Sequence, residues 1–172
     1  MSAFGALADT LRSVAAAVRP LAADEFTRRV LDTSGSIGGH VRHLLDHVWA
    51  LERGIATGEI CYDRRERDTI VERDPELAAS RLQRAVARLG GVGDYLLDRP
   101  LLLASQLHAD GRSVRVPTSV GRELAFVISH TIHHAAMIAV LLETASRPVP
   151  AGMGLAPTTP AVPRRTAAEA AA

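Results

Sequence analysis

The sequence predicts an all-α protein, a four-helix bundle with long connections and a short β-hairpin between the third and fourth helices. Three observations carry that expectation. Four stretches hold apolar residues at helical spacing, each with a polar opposite face. Residues that start and stop helices bracket them, most clearly at Ser36, at Asp74-Pro75 and at Gly58. Only one segment, Leu101 to Pro117, alternates as a strand does, and it does so around Asp110-Gly111, a good hairpin turn.

The first helix is expected from about Phe4 to Arg19, with Pro20 just past its end. A connector follows, closing on Ser34-Gly35-Ser36, where Ser36 reads as an N-cap. The second helix is expected from Ile37 to Ala56, and Gly58 helps to stop it. A charged loop, GEICYDRRERDTIVERD, leads to Asp74-Pro75 and the third helix, expected to reach Asp98 with a loosening at Gly90-Gly91. Arg99-Pro100 ends it. Ser119 or Thr118 opens the fourth helix, from about Gly121 to Ala145. Residues 1–147 thus form one domain, and the Pro- and Ala-rich residues 148–172 are expected to be largely flexible.

Composition narrows the function classes. The chain has 172 residues, enough for a single core. Its net charge is +1 and its aromatic content 3%, so it offers neither a basic field nor a stacking surface, and no nucleic-acid partner is expected. The basic side chains other than histidine are all Arg, which discounts Arg clusters as a signal. A single cysteine, Cys61, excludes an intrachain disulfide framework and a cysteine-built zinc site. The first residues lack a basic region ahead of their apolar run and do not read as a signal peptide. Leu124 to Leu142 carries no formal charge and is about long enough to span a bilayer. Its mid-run histidines favour instead a helix buried on most sides, so a cytoplasmic protein with no membrane partner is expected.

The histidines carry the chemistry. A helix turns about 100° per residue, so His130 and His134 stand within about 40° of each other, one above the other. This is the spacing with which one helix presents two imidazoles to one ion. His133 points away, and Glu123 lies on the pair's face about two turns earlier. On the second helix His40, His43 and His47 share an arc of about 60° beside the apolar face of Ile37, Val41, Leu44, Val48 and Leu51. Arg42, Asp46 and Arg53 point the other way. A lone histidine at a core edge is more often a hydrogen-bonded structural residue than a ligand. Five on two stripes are harder to dismiss, because leaving several imidazoles unsatisfied costs about 1–3 kcal/mol each, whereas one divalent ion satisfies three. Spacing leaves the ligand set open, since His47 stands one turn beyond His43 on the same face.

These motifs resemble the DinB-like metal-binding superfamily. SIGGHVRHLLDHV resembles its second-helix signature, Ser-Ile and then, after five intervening residues, His, matched by Ser36, Ile37 and His43. SHTIHHAAMI resembles its fourth-helix His-x-x-x-His pair, matched by His130 and His134. The resemblance covers about residues 1–147 and implies one divalent ion held by His43, His130 and His134, with the remaining positions open to water or substrate. Relatives that transfer low-molecular-weight thiols often carry His-Arg-Gly-Gln after the pair, where this chain has His134-Ala135-Ala136-Met137. Sulfoxide synthases of the ergothioneine pathway resemble His-x-x-x-His-x-Glu, and Ala136 stands where that Glu would be. The fold and ion therefore carry over, and the substrate does not.

The expected function is a metal-dependent enzyme that activates a small thiol for transfer to an electrophile, with His47 and His40 orienting ligands or moving protons. Arg65 and Arg67 of the charged loop are candidates for gripping an acidic substrate; the bland alternative is a solvated, self-paired run. A hydrolase at the same three-histidine site, a non-catalytic metal-binding stress-related protein and a metal-free bundle are the rivals. Histidine ligation suits Zn²⁺, Ni²⁺, Fe²⁺ or Cu²⁺, and Zn²⁺ is expected on availability. The expected partners are a small-molecule substrate and, in a dimer, a second copy of the chain.

Overall fold

Ser2, Ser36, Asp74 and Ser119 each leave extended backbone and accept, through a side-chain oxygen, the amide of Gly5, Gly39, Leu77 and Arg122 respectively. Capping of this kind satisfies an N–H that the helix itself leaves unpaired. In the computed structural model, which describes residues 2–30, 35–63, 70–107 and 110–159, the helices are α1 (Ala3–Val18), α2 (Ala23–Thr27), α3 (Ile37–Thr57), α4 (Pro75–Leu89) and α5 (Val120–Thr144). The four long ones agree with the sequence expectation at their starts to within a residue. α1 lies against α4 and α5, and α3 against α5 and α4. Between them Phe4, Leu11, Leu44, Leu51, Leu82, Leu124 and Ile138 are fully buried.

Four features differ from the expectation. The connector after α1 holds the short α2, whose Glu25 carboxylate accepts from the Ala22 N–H at 3.0 Å. α4 stops at Leu89, nine residues before Asp98, because Gly90 and Gly91 withdraw helix propensity although the apolar spacing continues at Val92 and Leu96. A 3₁₀ turn, Asp94–Leu96, follows, and Asp94 accepts from the Ala3 N–H at the start of α1. Asp46, assigned by periodicity to the wet face, is 8% exposed: Arg42 pairs with it at 2.5 Å and also with Glu72 of the turn before α4. Finally, Val149 and Met153 join the core, so the packed chain continues past residue 147. Met153 is 3% exposed.

The hairpin is present and belongs to a three-stranded sheet. β1 (Glu59–Ile60) runs parallel to β2 (Pro100–Gln106), which runs antiparallel to β3 (Ser113–Ser119) with Leu103 opposite Val116. Gly58 makes the start possible. Its left-handed φ of 85° ends α3 and turns the chain directly into β1. The chain after β1 then brings Tyr62 beside His47 of α3 and Glu123 of α5. α5 is long and apolar enough to cross a membrane, but it packs against α1 and α3 and carries half of the site, as a core helix does.

Candidate metal centre

α3 and α5 lie side by side through their apolar faces, with Val41, Leu44, Val48 and Leu51 on one and Leu124, Val127 and Ile138 on the other all buried. The histidines that edge these faces therefore meet. His43 Nε2 stands 2.9 Å from His130 Nε2. His40 Nδ1 stands 2.9 Å from His134 Nδ1. The His47 ring lies 4.0 Å from that of His130, and the His134 ring 4.6 Å from those of both His43 and His130, centre to centre. Five imidazoles thus form one cluster. Within it, one ligating nitrogen from each of His43, His47 and His130 lies within 4.8 Å of the others. His133, which its spacing turns away from the pair, toward a neighbouring helix or the site's edge, is exposed instead. Arg65 and Arg67 lie outside the described residues.

The donor chemistry fits a divalent ion. Two imidazole nitrogens each about 2.0–2.1 Å from one ion stand roughly 3 Å apart, which is the spacing of the His43–His130 pair. Ligation also requires neutral rings. Burial, with neighbouring His130 and His40, holds His134 well below the ordinary imidazole range, at about 3. His47 Nδ1 lies 2.9 Å from the His43 carbonyl oxygen, which can only accept, so Nδ1 carries the proton and Nε2 keeps its lone pair for the cluster. His47 is only 4% exposed, unlike a histidine solvated at a helix edge.

One wall of the cluster is aromatic, and the sequence reading did not find it. The Tyr62 ring stacks on His47 at 5.1 Å and 14°, Phe126 stacks on His130 at 5.6 Å and 20°, and Tyr62 and Phe126 touch at 5.0 Å. Behind them Glu123 is completely buried. Its carboxylate accepts from Tyr62 Oη at 2.8 Å, Thr118 Oγ1 at 2.7 Å and Arg122 Nη1 at 2.8 Å. Burial and the Glu123 charge push the Tyr62 phenol far above its ordinary range, so it stays a donor. Phe126 precedes His130 by one turn and could have been found from spacing; Tyr62 could not, because a sheet brings it in.

The sequence pattern of the DinB superfamily matches residues 6–138. The chain belongs to the DinB superfamily. The match covers the site-bearing parts of α3 and α5. A solved DinB-like protein, YjoA from Bacillus subtilis, superposes with a TM-score of 0.54 over 83% of this chain and 89% of its own, at 20% identity, a likeness of fold. A protein of Rhizopus delemar named FK506-binding protein 5 is 33% identical over 99 residues, which are 57% of this chain and 26% of that protein. The DinB chain thus spans about a quarter of that curated relative. Superfamily membership and the clustered histidines together fit metal binding.

Proposed function

We propose that this DinB protein is a metal-dependent enzyme that activates a small thiol for transfer to an electrophile. The observation that carries the reading is the gathering of five imidazoles from two helices, with the donors of His43, His47 and His130 within 4.8 Å. His43, His130 and, on the same turn-spaced stripe, His134 would hold one divalent ion, with Zn²⁺ expected and Ni²⁺ or Fe²⁺ able to replace it. Such an ion supplies Lewis acidity, lowering the pKa of a thiol or water at its open positions.

The chain's own residues do the rest. His40 meets Nδ1 of His134 and holds that ring's orientation. Tyr62 and Phe126 shield one side of the cluster from water. Thiol transfer stands ahead of hydrolysis because Glu123, the carboxylate of α5 nearest the wall, already accepts three hydrogen bonds in a buried position and is poorly placed to take a proton from water. A cytoplasmic location and a small-molecule partner follow from the same reading.

The test joins metal content with a screen of low-molecular-weight thiols against alkylating electrophiles, on tag-free protein. About one ion per chain and metal-dependent loss of thiol are expected, both abolished in His43→Ala and His130→Ala. A chain that binds no divalent ion on reconstitution overturns the reading. A chain that binds the ion and consumes no thiol leaves the non-catalytic metal-binding protein.

A further inference from the structure

We propose that Tyr62, anchored by Glu123, is a positioning residue that fixes His47 as a further donor to the metal. The inference rests on the metal reading above and extends it to residues outside both helix signatures.

The geometry runs as one chain of contacts. Glu123 is fully buried on the first turn of α5, and Thr118 and Arg122 hold its Oε1 while Oε2 accepts from Tyr62. A buried carboxylate with three donors is rigid, because releasing any one leaves part of its charge unsolvated. The phenol is therefore held at its tip. Its ring lies nearly parallel to His47, 14° apart and 5.1 Å between centres, with Phe126 closing the corner at 5.0 Å. On the far side His47 meets His130 at 4.0 Å and His43 at 4.5 Å. Its Nδ1 is tied to the His43 carbonyl. The ring is thus set by its own helix at Nδ1 and by Tyr62 across its face, and it stands in one group with His43 and His130.

The arrangement does for His47 what a carboxylate or carbonyl partner does for an ordinary histidine ligand: it fixes tautomer and ring plane before an ion arrives. Tyr62 reaches the site only because β1 pairs with β2 and β3 runs directly into α5. The sheet, remote from the helix signatures, thereby enters the metal site. His47 would then help His43, His130 and His134 to hold the ion.

The test is Co²⁺ titration of the full chain against a competing chelator, reading affinity and the visible ligand-field spectrum. Wild type, Tyr62→Phe, Tyr62→Leu, His47→Ala and the two double variants are compared. Tyr62→Phe keeps the ring and removes the hydroxyl that bonds to Glu123, which retains Thr118 and Arg122. We expect it to weaken Co²⁺ about tenfold and to alter the spectrum. Tyr62→Leu is expected to lose more. Both effects should vanish in the His47→Ala background, which a merely structural role for Tyr62 would not produce. Wild-type affinity and spectrum in both Tyr62 variants, or equal losses with and without His47, overturn the proposal while the metal reading stands. Absence of Co²⁺ binding in wild type overturns both.

Discussion

His40 and His133 sit on opposite sides of the same question. His40 is part-buried and touches His134 through Nδ1 at 2.9 Å, whereas His133 is exposed and has only a ring contact with His134 at 5.1 Å. If His40 orients a ligand, His40→Ala lowers metal affinity about 10–100-fold and leaves the ion count of the saturated protein unchanged. His133→Ala leaves affinity at the wild-type value. Isothermal titration with Zn²⁺ checks both, and equal losses in the two variants would put His40 outside the site's support. The pairing of these side chains was legible from spacing alone, since a 3.6-residue period fixes which imidazoles share a face. Which nitrogen faces which ring was not, because that depends on how α3 and α5 are offset. The bond between Tyr62 and Glu123 was beyond reach for a stronger reason: 61 residues separate them, and the sheet closes that distance.

The elements meet most tightly at glycines. Gly38, in the first turn of α3, faces the turn before α4: a Cβ there would stand 2.1 Å from the Glu72 carbonyl oxygen and 2.8 Å from Phe26. Neither neighbour is the free end of a flexible side chain. Gly38→Ala therefore forces α3 away from the 70–74 turn and costs about 1–3 kcal/mol despite alanine's higher helix propensity, measurable by urea denaturation. An unchanged or raised midpoint would show that the turn yields freely. The same turn carries Glu72, which with Asp46 shares Arg42, so this charged trio at the side of α3 depends on that close approach. Helix starts were readable because Ser36, Asp74 and Ser119 act within three residues of themselves. The end of α4 and the two-residue β1 were not, because a glycine pair competes with a continuing apolar pattern, and two residues are too few to show any period.

At the scale of the molecule, the chain after α5 closes the fold instead of leaving it. Met153 is buried, and Gly154, at φ 77°, lies so near α5 that a Cβ would stand 2.4 Å from Ala136 Cα. Met153→Ala should cost about 2–5 kcal/mol, and a chain ending at residue 147 should melt lower still, by calorimetry. The turn into this segment is fastened by Arg147, which pairs with Glu25 of α2 through Nε at 2.7 Å and Nη2 at 2.6 Å. That two-bond pair, with the Ala22 N–H, holds the Glu25 carboxyl at about 2, below its ordinary 4.5. Between those values the unfolded chain binds the proton and the folded chain does not. The pair's contribution is therefore complete above about pH 4.5 and is lost as pH falls through about 2. Arg147→Gln removes it. The gap in melting temperature between wild type and variant should be widest near neutral pH, narrow below about 4.5 and close towards 2. High salt should shrink it at every pH, since the pair borders solvent. A gap independent of pH would mean that Arg147 fastens the segment through the apolar part of its side chain and not through its charge.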